Sequence, residues 1–129
     1  MSNASNFSIT NTTKSRLPRL PFLKIKNTIL GKAPCVDLAI ISNAHSQKLN
    51  KKYRGINKPA NILTFPMGKT GEILMNPSQI RKDIKRFQKP YDALFALMFI
   101  HGLLHLKGRR HSSKMEKEEE VFLKKFGLS

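Results

Sequence analysis

The amino-acid sequence predicts one α+β domain in which helices pack on a mixed four-stranded sheet. Short apolar and β-branched runs alternate with helical patterns over the first 75 residues, and helical patterns fill the rest of the chain. The resulting order, β-α-β-α-β-β-α-α-α, is typical of a mixed sheet covered by about five helices. The chain has 129 residues, 40% of them apolar, which suits a single core and is short for two domains.

The first half of the chain holds two predicted strands and two predicted helices. Residues 7–12 form the first strand, and residues 36–42, which are β-branched and apolar, form a buried second one. Between them a helix begins after Pro21 and ends at Gly31, because glycine commonly ends helices. Residues 43–53 form the next helix, with its first residue, an asparagine, as the predicted N-cap.

A strand pair and a short basic helix follow. Residues 61–66 and 72–75 are apolar runs, and the segment 68–71 between them begins and ends with glycine. This pattern predicts two antiparallel strands joined by a tight turn. Residues 81–87 then predict a short basic helix, which Pro90 ends.

Two further helices complete the predicted fold. Residues 91–107 carry apolar side chains on nearly every face, which is typical of a helix buried at the centre of a domain, and Gly108 ends it. The last helix is predicted to open with a capping box, in which the side chains of Ser113 and Glu116 each bind the other's free amide. Its inward-facing stripe is predicted to consist of Met115, Phe122 and Phe126.

Three of the four histidines lie within eleven residues, in the string HGLLHLKGRRH. His101 and His105 are four positions apart, so both imidazoles leave one face of the central helix. Gly108 lets the chain reverse, which brings His111 back to the same point. Such nitrogens can reach one zinc ion at ~2.0–2.1 Å, and three protein ligands leave a fourth position for water, as in catalytic sites. We therefore predict one catalytic Zn2+ per chain, which would lower the pKa of that water towards ~7. His45 is expected to be an ordinary surface residue.

The spacing HxxxHxxGxxH also occurs in metzincin peptidases, where a glutamate follows the first histidine and acts as the general base. Here Gly102 occupies that position, and the string contains no other carboxylate. A zinc peptidase is therefore an alternative that lacks its proton carrier.

The charge balance favours a polyanionic partner. The chain has 24 Lys and Arg against 8 Asp and Glu, a formal net charge of +16. Half of the acidic residues lie within residues 116–120, so residues 1–115 carry 21 basic and 4 acidic side chains, a net +17. A field of this sign attracts nucleic acid and speeds its binding. We expect RNA or DNA as the partner, with charge that only confers solubility as the alternative.

The sequence indicates neither export nor membrane insertion. No apolar run approaches the ~18–20 residues that span a bilayer, and residues 1–14 lack the apolar stretch of a secretory signal. Residues 1–6 are expected to be disordered. The single cysteine, Cys35, cannot form an internal disulfide and is expected to be buried as a small apolar residue. We therefore expect a cytoplasmic protein.

Three blocks of the sequence resemble the YbeY family of metal-dependent endoribonucleases. Residues 101–111 resemble the family signature HGxLHLxGYDH. Residues 49–66 contain Leu-Asn, Tyr-Arg and Pro-Ala-Asn-Ile-Leu-Thr-Phe-Pro, which is similar to the family's LNxxYR followed by PTxVLSFP. Residues 71–73, Gly-Glu-Ile, are similar to the family's Gly-Asp-Ile. The blocks run in family order from about residue 36 to 126.

The resemblance implies a zincin-like α+β fold and cleavage of single-stranded RNA during maturation of ribosomal RNA, including the 3′ end of 16S rRNA, and in ribosome quality control. It also implies contacts with the ribosomal small subunit. By matched position, Arg54 becomes the catalytic residue of the cleft, since a guanidinium can hold two phosphate oxygens at once. Arg54 is also a substrate-binding candidate, together with Lys58 and Glu72. The zinc ligands by the same match are His101, His105 and His111.

The sequence departs from the family pattern within these blocks. Arg109-Arg110 stands where the family has Tyr-Asp, so a carboxylate that could orient a ligand or relay a proton is absent. Glu72 stands where the family has Asp and is one methylene longer. The first departure favours another alternative, a basic ribosome-associated RNA-binding protein whose metal only stabilises the fold. Such a protein would unfold when its metal is removed.

Overall fold

A computed structural model describes residues 6–128, and in this range four strands and six helices follow one another. The α+β class and the mixed four-stranded sheet are confirmed, with six helices in place of about five. Of the residues predicted to be disordered, 1–5 lie outside the described range, whereas the Asn6 side chain donates a hydrogen bond to the Lys32 carbonyl at 2.7 Å. The strands are β1 (Phe7–Asn11), β2 (Cys35–Ile40), β3 (Ile62–Met67) and β4 (Thr70–Met75), and the helices are α1 (Phe22–Leu30), α2 (Asn43–Arg54), α3 (Pro77–Lys82), α4 (Ile84–Phe87), α5 (Tyr91–Leu106) and α6 (Ser113–Lys125).

The sheet has the strand order β1-β2-β4-β3. Strands β1, β2 and β4 are parallel, so the connections between them cross over through helices, whereas β3 pairs antiparallel with β4. The β3–β4 turn is the predicted tight turn, but β4 begins at Thr70, which leaves only Gly68 and Lys69 between the strands. Gly68 has φ 65°, a left-handed conformation that such turns favour. Because β3 is the last strand in the order β1-β2-β4-β3, it is an edge strand.

Helix α5 forms the core with one face of the sheet, as its all-round apolar surface predicts. Its side chains face the sheet on one side and helices α1, α3 and α6 on the others, so each face of the helix packs against another part of the protein. No helix within residues 6–128 is long and apolar enough to cross a membrane. The α5 side chains without any exposed surface are Leu94, Phe95, Ala96, Phe99, Ile100, Leu103 and Leu104.

Two glycines bring the last turns of α5 against the β3–β4 hairpin. A Cβ atom at Gly102 would lie 2.9 Å from Ile62 Cδ1 and 3.0 Å from Thr64 Cγ2. A Cβ atom at Gly71 on β4 would lie 2.7 Å from Leu106 Cδ2. Real Cβ atoms do not approach other atoms so closely, so any other residue at either position would force the neighbouring side chains to shift. The histidine-bearing turn of α5 is thereby placed beside the edge strand β3.

The opposite face of the sheet is covered by α2. Ile41, Leu63 and Leu74 form a small buried cluster there, and Leu49 of α2 and Phe65 of β3 pack against it. This second layer holds the C-terminal end of α2 near the edge strand.

The N-cap of helix α2 lies one residue earlier than predicted. The Ser42 hydroxyl accepts a hydrogen bond from the His45 amide at 3.1 Å, so Ser42 and not Asn43 is the N-cap. The N-cap needs extended backbone, which Ser42 has, whereas Asn43 is already helical. The Asn43 side chain instead accepts from Asn76 Nδ2 at 3.0 Å. His45 is exposed, as predicted.

Helix α6 is also capped one residue earlier than predicted. The Ser112 hydroxyl accepts from the Met115 amide at 3.1 Å, and Ser112 has the extended backbone of an N-cap. The capping box predicted between Ser113 and Glu116 is therefore wrong, because Ser113 already lies inside the helix. The side chains that α6 turns inward are Met115, Glu119, Phe122, Leu123 and Phe126.

The basic helix predicted at residues 81–87 is two short helices, α3 and α4. Asn76 caps α3, because its side chain accepts from the Gln79 amide at 3.4 Å. Asp83 separates the two helices, and its carboxylate accepts from Asn61 Nδ2 at 3.0 Å and from Gln79 Nε2 at 3.3 Å. These contacts tie the junction to the chain just before β3.

Cys35 is exposed and not buried. It is the first residue of β2, where side chains alternate between the core and the outer face. Val36, Leu38 and Ile40 occupy the core positions, which leaves Cys35 and Asp37 on the outer face.

Candidate metal centre

The three histidines predicted as ligands meet at one point. His105 Nε2 lies 3.0 Å from His101 Nε2 and 3.3 Å from His111 Nε2, and one ligand atom of each lies within 4.8 Å of the others. Two nitrogens bound to one tetrahedral zinc ion at ~2.0–2.1 Å are about 3.3 Å apart. The spacing of the three imidazoles therefore fits a single small metal ion.

A glycine turn brings His111 back to the helix. Gly108 has φ 100°, and its amide donates to the His105 carbonyl at 2.9 Å. The next amide, of Arg109, donates to the Leu104 carbonyl at 2.9 Å. These bonds use the last carbonyls of α5 and turn the chain sharply, as left-handed glycines do at helix ends. His111 thus reaches the imidazoles of α5 from a short loop.

The ring of His105 is oriented by the main chain. Its Nδ1 lies 3.0 Å from the Arg109 carbonyl oxygen. A carbonyl oxygen can only accept, so Nδ1 carries the hydrogen and Nε2 presents its lone pair to a metal. The arginine that replaces the family's tyrosine therefore leaves this contact unchanged, because the contact uses only the backbone.

The ring of His101 is oriented by a carboxylate from another helix. Its Nδ1 lies 2.5 Å from Oε2 of Glu119, which is 8% exposed on the inner face of α6. A carboxylate that accepts from Nδ1 fixes the tautomer and makes Nε2 a better metal ligand. Glu119 thus supplies an orienting carboxylate from α6, although Arg109-Arg110 provides none.

Sequence reasoning missed Glu119, although a signal was present. The predicted inward stripe of α6 consisted of Met115, Phe122 and Phe126. Glu119 is four residues after Met115 and three before Phe122, so it lies on that same stripe. An acidic residue inside an apolar stripe needs a partner, since buried carboxylates are paired.

The environment of His105 favours its uncharged form. Burial, and then the neighbouring His101, lower the pKa of His105 below its ordinary value. Metal binding requires neutral imidazole. A lowered pKa at His105 therefore favours the form that binds a metal at neutral pH.

The three histidines line a cleft of about 1100 Å³ between α5, α6, β3 and the end of α2. Arg54, the last residue of α2, also lines this cleft and is exposed. The structure thus brings the predicted arginine and the three predicted ligands to one cavity. Further charged residues of the cleft, none of them predicted as a site residue, are Arg86, Lys89, Glu116 and Glu120.

Lys58 and Glu72, the other two predicted substrate-binding residues, do not line the cleft. On β4, Gly71 and Ile73 contact the α5 side of the sheet, so Glu72 between them points to the side of α2. Lys58 is exposed in the connection after α2, where its carbonyl accepts from Asn50 Nδ2 at 2.8 Å.

The family model and the similar proteins of known name point to one and the same family. The family model that matches is described as Endoribonuclease YbeY, and the match spans residues 3–127. The Endoribonuclease YbeY of Aliarcobacter butzleri is 34% identical over 128 aligned residues, which cover 92% of this chain and 90% of that protein. The Endoribonuclease YbeY of a Nitratiruptor species is 35% identical over 101 residues, 72% of this chain and 70% of that protein. The solution structure of a Thermotoga maritima protein matches with a TM-score of 0.64 at 23% identity, over 91% of this chain and 86% of that chain, which is a likeness of fold.

Proposed function

The chain belongs to the YbeY family of endoribonucleases, and from this premise we propose that it is a zinc-dependent endoribonuclease specific for single-stranded RNA. Family membership confirms the predicted resemblance and the prediction of an enzyme of the hydrolase class. The choice of zinc, the single-strand preference and the biological substrate are the proposed part.

One observation carries the proposal: three imidazoles converge in a cleft that also contains Arg54. Three nitrogen donors suit zinc, and they leave one coordination position open, as catalytic zinc sites do. A bound zinc ion would supply Lewis-acid polarisation of the oxygens that react at the phosphodiester. We expect one Zn2+ per chain, held by His101, His105 and His111.

The basic residues of the cleft support a phosphate-containing substrate. The Arg54 guanidinium is exposed in the cleft, where it can hold two oxygens of one phosphate and stabilise the charge that develops on them. Arg86 and Lys89 line the same cleft and come from a separate part of the chain, at the end of α4 and after it. They provide positive charge for neighbouring phosphates of the strand.

A carboxylate is available to move a proton. Of the cleft glutamates, Glu119 accepts a hydrogen bond from His101 Nδ1, and Oε1 of Glu120 lies 3.6 Å from Nζ of Lys89. Glu116 is exposed one turn before Glu120 on the same helix face. We assign Glu116 the role of proton carrier for the attacking or leaving oxygen.

We further propose that the natural substrate is ribosomal RNA, at or near the 3′ end of 16S rRNA, on the small subunit in the cytoplasm. This follows the resemblance of the three sequence blocks to the family, and the net charge of +16 supports a polyanionic substrate. Precursor small subunits would be incubated with the protein, and the new RNA ends mapped. Ends that fall at random over the RNA would contradict this part of the proposal.

The decisive experiment is cleavage of an end-labelled single-stranded RNA by the purified chain. Cutting is expected to stop when a chelator is added and to return with zinc, and His105→Ala protein run alongside excludes a contaminating nuclease. A 2′,3′-cyclic phosphate on the product indicates attack by the ribose hydroxyl, and a 3′-hydroxyl indicates attack by water. Binding of RNA without any cutting would overturn the proposal in favour of an RNA-binding protein with a structural metal.

A further inference from the structure

Tyr53 is an aromatic side chain that the metal chemistry leaves unexplained. It lies in the last turn of α2, immediately before Arg54, and is 57% exposed. Its side chain lines the same cleft as the three histidines. Clefts that bind ligands are lined by aromatic side chains together with a few polar groups, so an exposed ring in this cleft is a candidate contact for a ligand.

The Tyr53 ring packs on a neighbouring aromatic ring, that of Phe65. Phe65 of the edge strand β3 meets it edge-to-face, with ring centroids 5.3 Å apart and an interplanar angle of 66°. Phe65 in turn packs on the small cluster between the sheet and α2. The Lys52 ammonium lies over the Tyr53 ring at 5.1 Å from its centroid, and Lys52 is exposed. An exposed cation–π contact of this kind is weak and readily exchanged for another ring contact.

We propose that Tyr53 is a stacking surface for one unpaired nucleobase of the RNA, next to the phosphate that Arg54 holds. The inference rests on the proposed function and names the feature of the substrate that this part of the cleft recognises. Aromatic side chains stack on bases of single strands, whose ring faces are accessible, and arginine and lysine beside them hold the backbone. In a duplex the base faces are already covered by their neighbours. Tyr53 therefore makes the cleft selective for single strands.

Substitution of Tyr53 tests the stacking directly. Affinity for a short fluorescent oligouridine with 2′-O-methyl ribose and phosphorothioate linkages, which resists cutting, would be measured on the full chain in the presence of zinc. Tyr53→Leu keeps an apolar contact with Phe65 but offers no flat ring, and the expected loss of affinity is roughly 5- to 100-fold. Tyr53→Phe keeps the ring and is expected to bind like the wild type. Ile56→Ala removes a nearby exposed apolar residue outside the cleft and serves as the matched control.

Tyrosine fluorescence gives a second readout that a merely structural role would not move. The chain has no tryptophan and two tyrosines, Tyr53 and Tyr91. Tyr91 packs on Phe95 at the start of α5, outside the cleft, so Tyr91→Phe leaves Tyr53 as the only tyrosine, and excitation at wavelengths that phenylalanine does not absorb reports on Tyr53 alone. Oligouridine is expected to quench this emission, whereas an abasic ribose-phosphate oligomer and a duplex are not.

The outcomes separate this inference from the proposed function. If Tyr53→Leu binds oligouridine as tightly as the wild type, or if no quenching occurs, the stacking surface is wrong even when RNA is cut. If the wild type never cuts RNA but Tyr53→Leu loses affinity and the quenching is seen, the endoribonuclease proposal fails and the stacking surface stands.

Discussion

His101 and His105 lie one helical turn apart on α5, yet different partners orient their rings. The Nδ1 atom of His105 donates to a main-chain carbonyl, that of Arg109, in the loop that follows its own helix. The Nδ1 atom of His101 meets the Glu119 carboxylate, which comes from α6. The first contact forms whenever the loop adopts its path, whatever side chain position 109 carries. The second contact depends on one residue and on the docking of a second helix, so the two ligands differ in how a mutation can disturb them.

The largest expected effect is the loss of the ligand at the centre of the cluster. His105 Nε2 is within 3.3 Å of both other imidazoles, so His105→Ala is expected to abolish stoichiometric zinc binding. Far-UV circular dichroism should remain that of the wild type, because the core of the structure does not include this side chain. Collapse of the spectrum would mean that the site is structural and not catalytic.

Removal of the carboxylate should weaken the site without destroying it. Glu119→Gln keeps the size of the side chain but loses the charge, and the expected loss of zinc affinity is about 10-fold, rising towards about 100-fold for Glu119→Ala. Competition with a chromophoric chelator measures this. Glu118→Gln is the matched control, because Glu118 is the neighbouring residue and pairs with the Arg109 side chain and not with a histidine. Equal losses for the two variants would refute the orienting role of Glu119.

Overpacking between α5 and strand β3 should lower the free energy of unfolding of the chain. Gly102→Ala adds a Cβ atom 2.9 Å from Ile62 Cδ1, and such overpacking costs about 1–3 kcal/mol, whereas alanine gains about 1 kcal/mol in helix propensity. The free energy of unfolding should therefore fall by about 1 kcal/mol in urea denaturation. Ile62→Val in the same chain removes the clashing methyl group and should restore part of the loss. No recovery in the double variant would show that the contact is not the cause.

The smallest effect is expected at Arg109. Arg109→Ala leaves the carbonyl that orients His105 and removes only a partly exposed ion pair with Glu118, with Nε and Oε1 3.0 Å apart. Zinc affinity should stay within about twofold of the wild type, and stability should fall by less than about 1 kcal/mol. A loss of zinc affinity as large as that of Glu119→Gln would remove the contrast between the two histidines.

The parts of the site that are local in sequence could be predicted from it. Helical periodicity places His101 and His105 on one face, and Gly108 permits the return of His111, all within eleven residues. Glu119 could not be paired with His101 in this way, because their contact depends on how α6 docks on α5. Glu72 shows the converse, since its neighbours Gly71 and Ile73 on β4 face the end of α5, but the two-residue period of β4 turns the Glu72 side chain to the other face of the sheet.

The fold was predicted at the level of elements and less well at their ends. Apolar runs and periodicity located the four strands and the central helix. The caps at Ser42 and Ser112 were each misplaced by one residue, because the backbone conformation selects the cap among neighbouring polar residues. Asp83, which lies between α3 and α4, accepts a hydrogen bond from Asn61 in the chain before β3, a contact that no local pattern reveals.

Cys35 bears on how the protein must be handled. It is the only cysteine of the chain, and its thiol is exposed at the start of β2. Two molecules can therefore be oxidised to a covalently linked pair through this one sulfur, and no second thiol in the chain can reverse the bond by intramolecular exchange. The apparent molecular mass in solution will depend on whether a reductant is present, and Cys35→Ser removes that dependence.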